Sequence, residues 1–188
     1  KFMTPYHEQN ASWVGIVDNQ LMIKGANSLF SQVSPSIMAT RATSLDYSLQ
    51  TKVTFDPVHY SQTAGAGLYY DSNNWLYASL HLDDKEQKLV LGIIQAKLGE
   101  KIDYVYDQIK INYHLGTAQI YCRFNENDEW IKVGKDFDVS YLSDEGVNGE
   151  PGEIGGFTGL FNFIGSVDAY QHDSAAAFDY YQVKNGEK

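Results

Sequence analysis

The sequence lacks the features of a disulfide-stapled protein and those of a membrane protein. Cys122 is the only cysteine in 188 residues, so no disulfide can form within the chain. No apolar run approaches the roughly 20 residues that a transmembrane helix needs, and no signal-peptide pattern is present. Because a single thiol favours a reducing compartment, we predict a cytoplasmic protein that has no membrane partner.

Positive charge is scarce as well. The 14 Lys and Arg residues are outnumbered by 24 Asp and Glu residues, which gives a formal net charge of −10. Nucleic acids and anionic membranes would be repelled by this charge, so we expect neither as a partner. A neutral sugar is compatible with it.

Aromatic residues and glycine, by contrast, are abundant. Hydrophobic residues make up 43% of the chain and aromatic residues 14%, which is enough for the core of one domain over residues 1–188. Fourteen tyrosines and sixteen glycines beside only four prolines favour an antiparallel β protein over a helical bundle.

Residues 47–82 contain the clearest strand pattern. Apolar and polar side chains alternate over residues 47–55, as in a half-buried strand, and Pro57 then ends the run. The Ala-Gly repeat at residues 64–67 permits the close approach of a neighbouring segment. The turn-forming residues 71–74 predict a hairpin between two strands.

Short strand candidates separated by turn residues continue along the rest of the chain. Residues 88–96 form a continuous apolar run, which predicts a strand covered on both faces, although its length does not exclude a helix. Residues 142–156 contain five glycines and form the one long loop. We therefore predict an all-β fold without a long helix, a two-sheet antiparallel β-sandwich of jelly-roll type.

No constellation of residues indicates catalysis by this chain. Glycoside hydrolysis normally needs two carboxylates that flank the scissile bond, whereas the neighbouring acids here lie in predicted turns or at strand edges. These acids are Asp83 with Asp84, Asp136 with Asp138, and Asp144 with Glu145. The five histidines lack zinc-ligand spacing, no nucleophile elbow occurs, and Cys122 alternates inward with core residues. We therefore predict that none of these side chains is catalytic.

Several spaced motifs resemble one known family. They are Thr51-x-Val53-x-Phe55-x-Pro57, QTAGAGLYY at residues 62–70, and Asn73-x-Trp75-x-Tyr77, with further matches at residues 21–29, 39–41, 156–161 and 177–181. Together they resemble the C-terminal module of family 43 glycoside hydrolases, in which a concanavalin A-like β-sandwich follows a five-bladed β-propeller. The resemblance covers nearly the whole chain in the same order.

The resemblance implies an accessory role in a longer enzyme. In the β-xylosidases of that family the catalytic acids lie in the propeller, so this chain alone would not be catalytic. The sandwich packs on the propeller and lends an aromatic side chain to its pocket, and we expect Phe157, at the base of the long loop, in that role. The expected partners are the catalytic propeller of the same protein and a xylo-oligosaccharide, cleaved as by a β-xylosidase or an α-L-arabinofuranosidase. Assembly into a homo-oligomer stays open.

The resemblance also bears on metal binding. Concanavalin A-like sandwiches often hold a structural calcium ion, and Asp179 lies where the family would place a ligand, so we expect calcium there as an optional ligand while no cofactor is required. Calcium takes six to eight oxygen ligands. The family's acidic opening strand has no counterpart here, so a first strand is expected to be missing and the site would lack one contributor.

Two other functions fit the same residues. In a stand-alone carbohydrate-binding module, exposed aromatic residues stack on sugar rings, and Trp75, Tyr77, Tyr69 and Tyr70 are the candidates. Aromatic residues on strands are, however, more often part of the core. A purely structural or assembly module is the other alternative, and Phe157 equally fits an ordinary core phenylalanine at the start of a strand.

Overall fold

The computed structural model describes residues 1–97, 101–104, 108–147 and 159–186. These residues form thirteen strands, namely β1 (Val14–Val17), β2 (Gln20–Lys24), β3 (Ser36–Arg41), β4 (Asp46–Thr54), β5 (Gln62–Asp71), β6 (Asn74–Asp83), β7 (Lys88–Gln95), β8 (Lys101–Tyr104), β9 (Gln108–His114), β10 (Thr117–Arg123), β11 (Ile131–Asp138), β12 (Phe161–Asp168) and β13 (Ala175–Asn185). One helical turn, α1 (Asp144–Val147), lies in the segment predicted as a long loop. The all-β prediction is confirmed, and none of the described residues belongs to a helix that could cross a membrane.

The strands form two sheets that pack face to face. The seven-stranded sheet has the order β1-β2-β13-β4-β9-β10-β11, and the six-stranded sheet has the order β3-β12-β5-β6-β7-β8. All neighbouring strands within the two sheets are antiparallel. The predicted antiparallel sandwich is therefore confirmed.

Apolar side chains from both sheets fill the space between them. Leu49 of β4 and Ile120 of β10 join Leu68 of β5 and Ile164 of β12 in one buried cluster. Cys122 belongs to the same cluster, which confirms its predicted place in the core. Full burial of one such aliphatic side chain contributes about 1.5–3 kcal/mol, so this layer is the main source of stability.

The outer face of the six-stranded sheet is apolar too. Successive residues of a strand point to opposite faces of the sheet, and in β5, β6 and β7 the residues on both faces are buried. A second cluster lies there, formed by Leu29, Ile37, Ala39, Tyr69, Trp75, Tyr77, Phe163 and Val167. Phe30, from the loop after β2, packs edge-on against Trp75 with 4.7 Å between the ring centroids. Apolar layers on both sides explain why residues 88–96 do not alternate, and β7 is the doubly covered strand predicted there.

A close approach between strands explains two glycines of β5. A Cβ atom at Gly65 would lie 2.0 Å from the carbonyl oxygen of Ala78, and one at Gly67 would lie 2.1 Å from that of Leu76. No side chain fits such gaps, so the predicted close approach is confirmed, with β6 as the neighbour.

The pairing of β5 with β12 defines two ends of the sandwich. Phe161 pairs with Tyr69 at one end, called here the Phe161 end, and Asp168 pairs with Gln62 at the other, called the Asp168 end. A strand rises about 3.3 Å per residue, so β12 separates the two ends by about 23 Å.

Candidate functional site

The Phe161 end is where the predicted functional loop returns to the six-stranded sheet. Phe157 itself lies outside the described residues, so its contribution to a substrate pocket stays a prediction. The described chain resumes at Gly159, whose φ of +73° favours glycine. The Arg41 guanidinium then lies 5.1 Å from the centre of the Phe161 ring, a cation–π contact that holds the start of β12 against β3.

An apolar pocket of about 310 Å³ opens at this end, with walls that include Met3, Pro5, Tyr6, Tyr69, Asp71 and Phe161. The N-terminal segment forms one wall because Met3 and Ala39 exchange backbone hydrogen bonds of 2.7 and 2.8 Å. Met3 is 43% exposed and Tyr6 is 53% exposed, so apolar surface at the rim faces solvent. The pocket is therefore suited to receive an apolar or aromatic group from outside the described chain.

The Tyr69 hydroxyl is buried in this pocket without a hydrogen-bond partner among the residues that the structure describes. Burial raises the pKa of that hydroxyl, and the nearby Tyr6 and Asp71 raise it further, so the hydroxyl keeps its proton. The Asp71 carboxylate instead accepts hydrogen bonds from the backbone N–H of Asn73 at 2.8 Å and the side-chain amide of Asn74 at 2.9 Å. An unpaired buried donor costs about 1–3 kcal/mol, so an incoming acceptor oxygen would be stabilised here.

Comparison with known proteins identifies the kind of domain to which this pocket belongs. Residues 1–184 match the model of the β-xylosidase C-terminal concanavalin A-like domain. The chain belongs to this family.

Similar proteins extend well beyond the matched region. The concanavalin A-like domain is 26% identical over 178 residues to a β-xylosidase of Bacillus subtilis, covering 88% of this chain and 32% of that protein. It is also 26% identical over 172 residues to a putative β-xylosidase of Escherichia coli, covering 86% of this chain and 31% of that protein. The crystal structure of a xylan β-1,4-xylosidase from Bacillus halodurans superposes with a TM-score of 0.85 at 26% identity, over 94% of this chain and 35% of that one. The domain thus spans about a third of the length of the relatives it matches.

The aromatic residues of the family motif lie inside the concanavalin A-like domain. Tyr69, Trp75 and Tyr77 are each 3% exposed, and Tyr70 is 2% exposed. None of them presents an open ring face to a sugar. The alternative in which these four residues form a stacking surface is not supported, and the interpretation as core residues is confirmed by their burial.

Asp179, the predicted calcium ligand, lies at a register shift of β13 against β4, which is a β-bulge. One carboxylate oxygen lies 2.7 Å from the Lys52 ammonium, and the other accepts a hydrogen bond from the Gln20 side chain. The hydrogen bond from Lys52 is the main cause of a lowered pKa of the Asp179 carboxyl. In the described part of the chain no three His, Cys, Asp or Glu side chains gather as a metal site. These contacts fit a salt bridge better than a calcium site, and calcium binding at Asp179 stays a prediction.

Three of the acids considered for catalysis, Asp83, Asp136 and Asp138, take part in local contacts. Asp83 accepts a hydrogen bond of 2.7 Å from the backbone N–H of Glu86, and Asp136 pairs with Lys132. Each of these contacts is the main cause of a lowered pKa of the carboxyl concerned, and nearby Ser140 lowers the pKa of Asp138 in the same way. A general acid needs a raised pKa instead, so the contacts favour a structural role for all three carboxyls.

Two features of the Phe161 end have no signal in the sequence. Residues 1–15 show no periodicity, and the Met3–Ala39 contact is an isolated bridge rather than a strand, so the N-terminal wall of the pocket is not predicted. The sequence also does not distinguish the unpaired hydroxyl of Tyr69 from that of Tyr77, which donates to the Gly165 carbonyl at 3.3 Å. The difference in hydrogen bonding between the two tyrosines depends on the register of their strands, which the sequence does not show.

Proposed function

We propose that this chain is the accessory domain of a family 43 enzyme of the β-xylosidase type. In this proposal it packs on a catalytic propeller of the same protein and completes the wall of a pocket for xylo-oligosaccharides. The observation that carries the proposal is the family match over residues 1–184 in a chain that spans about a third of its relatives. The rest of such a protein would supply the two carboxylates that glycoside hydrolysis needs.

The Phe161 end supports this proposal as the surface that meets the propeller. Its pocket is apolar and open, and its rim exposes Met3 and Tyr6. The proton of the Tyr69 hydroxyl lacks an acceptor among the described residues, so a carbonyl or hydroxyl oxygen of the propeller would remove an energetic penalty. The segment that carries Phe157 joins β12 at this same end, next to Gly159.

The proposal is tested with Phe157→Ala in the intact protein that contains both domains. An aromatic edge at the rim excludes water and gives a sugar ring a surface to pack on, so its loss should lower kcat/KM for an aryl xyloside. We expect a decrease of about tenfold or more, which corresponds to about 1.4 kcal/mol. The melting temperature of the 188-residue chain should stay nearly unchanged.

Phe163→Ala is the matched control for a core phenylalanine. Phe163 is fully buried in the outer cluster of the six-stranded sheet, so its truncation should destabilise the chain by about 3–5 kcal/mol. If Phe157→Ala behaves like this control and leaves the kinetics of the intact protein unaltered, Phe157 is a core residue and the proposed pocket contribution is wrong.

A second test asks whether the chain is catalytic by itself. We expect the pure 188-residue chain to hydrolyse no aryl xyloside, since the acid and the base would come from the propeller. Turnover by this chain that disappears when one of its own carboxylates is replaced would contradict the accessory role.

We further propose that the protein is cytoplasmic, because Cys122 is the only cysteine in the sequence and no disulfide can form within the chain. Cell fractionation followed by immunodetection tests this location. Recovery of the protein only from the extracellular or periplasmic fraction would contradict it.

A further inference from the structure

Three aromatic rings stack at the surface of the Asp168 end. The His59 and Tyr170 rings are nearly parallel, at 10° between their planes and 4.2 Å between their centroids. Tyr60 packs on the same histidine at 4.4 Å. Tyr60 is 54% exposed and Tyr170 is 51% exposed, so about half of the surface of each tyrosine is open to solvent. Neither tyrosine belongs to the two core clusters.

The loop that carries Tyr170 is fixed by a buried carboxylate. Asp168 is completely buried, and its oxygens accept backbone N–H bonds of 2.9–3.0 Å from residues 170, 171, 173 and 174. Burial alone would raise the pKa of Asp168, but these N–H donors outweigh burial and hold the pKa below its usual value. Hydrogen bonds to a charged acceptor are strong, so these four bonds fix the loop to the carboxylate.

The loop that carries His59 and Tyr60 is fixed to the same carboxylate through Gln62. The Gln62 amide group donates to Asp168 at 3.1 Å, and its oxygen accepts the backbone N–H groups of Val58 at 2.8 Å and His59 at 3.2 Å. One buried pair therefore positions both loops and with them the three stacked rings. Rings held in place before binding lose little conformational entropy when a ligand arrives.

The edges of the stack are polar. Nδ1 of His59 lies 2.7 Å from the Ser61 hydroxyl and 3.3 Å from the Ser61 backbone N–H, so one edge of the ring is bonded within its own loop. No described residue bonds the hydroxyl of Tyr60 or of Tyr170. Open ring faces beside free donors match the alternation of C–H faces and hydroxyl groups on a sugar ring. The net charge of −10 disfavours an anionic ligand.

We propose that the Tyr60–His59–Tyr170 stack is a binding surface for a neutral oligosaccharide. The sugar packs a ring face on the open side of Tyr170 or Tyr60 and hydrogen-bonds their hydroxyls and His59. That the sugar is a xylo-oligosaccharide rests on the proposed function, whereas binding of a neutral sugar rests on the stack alone.

The test is a titration of the ¹⁵N-labelled 188-residue chain with xylohexaose, followed by backbone amide shifts. We expect saturable shifts at residues 58–62 and 168–174. Tyr170→Ala should weaken binding at least about tenfold, which corresponds to about 1.4 kcal/mol. Tyr170→Phe keeps the ring and should retain most of the affinity. The Asp168 network uses only the backbone of residue 170, so Tyr170→Ala should also keep the wild-type melting temperature.

Tyr6→Ala is the control, because Tyr6 has a similar exposure of 53% but lies at the Phe161 end. It should bind xylohexaose like the wild type. Absence of saturable shifts with xylohexaose and with cellohexaose, or equal affinity in wild type and Tyr170→Ala, overturns the proposal. So does light scattering that shows a dimer converted to a monomer by Tyr170→Ala, because the stack would then be a contact between copies of the chain.

The same experiment separates this proposal from the proposed function. Binding of cellohexaose without xylohexaose, abolished by Tyr170→Ala, supports the sugar surface but contradicts the xylo-oligosaccharide assignment. In the intact protein, Tyr170→Ala should leave kcat/KM for a small aryl xyloside unchanged, whereas Phe157→Ala should lower it. A loss of activity with Tyr170→Ala would overturn the assignment of the stack as a separate binding surface.

Discussion

The two ends of the sandwich differ in whether a buried polar group has hydrogen-bond partners. At the Asp168 end, the carboxylate accepts four backbone N–H bonds and one bond from Gln62. At the Phe161 end, the Tyr69 hydroxyl is equally hidden from water but has no partner among the described residues. A buried polar group with hydrogen-bond partners stabilises the chain that contains it, whereas one without partners lowers the stability of the chain.

The difference also concerns the apolar surface. The Asp168 end exposes aromatic rings on loops that the network already holds rigid, while the Phe161 end exposes an apolar pocket whose wall includes the N-terminal segment. The Asp168 carboxylate is thus satisfied within this chain, and the loops that it joins present the exposed rings. The Phe161 end has the character of an interface that another domain would complete.

The largest expected effect comes from removing the satisfied group. Asp168→Ala leaves four backbone N–H groups of residues 170–174 and the Gln62 amide without their acceptor, so we expect the free energy of unfolding to fall by about 3 kcal/mol or more. Asp71→Ala at the opposite end removes a carboxylate from a solvated turn and should cost less than about 1 kcal/mol. Urea denaturation measures both. If both variants lost the same free energy of unfolding, the inferred difference between the two ends would be wrong.

Acidification should act on the Asp168 end next. The pKa of Asp168 in the folded chain lies below its unfolded value, so its contribution to stability is present above the unfolded pKa of about 3.9. The contribution is lost as the pH falls from that value towards the folded pKa. Stability measured between pH 6 and pH 3, values chosen to bracket about 3.9, should fall more steeply for the wild type than for Asp168→Asn. Parallel curves would show that Asp168 has an ordinary pKa in the folded chain.

A smaller effect of opposite sign is expected at the Phe161 end. Tyr69→Phe removes a hydroxyl that has no described partner, so the 188-residue chain should keep its stability or gain up to about 1 kcal/mol. Tyr77→Phe is the matched control, because that hydroxyl donates to Gly165 and its loss should cost about 1 kcal/mol. A clear loss of thermal stability in Tyr69→Phe would mean that the hydroxyl is bonded in the free domain.

The smallest expected effect concerns Asp179, which lies away from both buried groups. Its side chain and that of Lys52 remain 25% and 31% exposed, so Asp179→Asn should change stability by no more than about 1 kcal/mol. Calcium binding at Asp179 would compete with the salt bridge to Lys52. Differential scanning calorimetry with calcium and with EDTA decides the case, since a calcium-dependent stabilisation that Asp179→Asn abolishes would identify Asp179 as a ligand.

The sequence predicted the strands of the two sheets far better than the side-chain contacts at the two ends of the sandwich. Strand alternation and the Ala-Gly repeat of residues 64–67 depend on neighbours along the chain and across one hairpin, so local patterns suffice for β4, β5 and β6. The Asp168 network joins residues 106 positions apart through Gln62. Neither Gln62 nor Asp168 stands out by composition or spacing, because what makes them special is the register of β5 against β12.

The same limit explains why the sequence left two interpretations of the aromatic residues open. Trp75 and Tyr77 alternate as strand residues do, but alternation alone does not say whether the outer face of a sheet is covered. The loop after β2 supplies Leu29 and Phe30 to that face, and nothing in the sequence places this loop there. Tyr60 and Tyr170, by contrast, are exposed where they pack on His59 and two distant loops meet.

The N-terminal wall of the pocket has a consequence for self-association. β3 is the edge strand of the six-stranded sheet, and the Met3–Ala39 bridge occupies part of its free hydrogen-bonding side. Pro5 has no N–H and so cannot extend a ladder to another molecule. Residues 1–6 thus hinder the pairing of the β3 edge with a strand of another molecule. A chain shortened by residues 1–6 would expose this strand edge and the floor of the pocket together, which is the combination that favours aggregation.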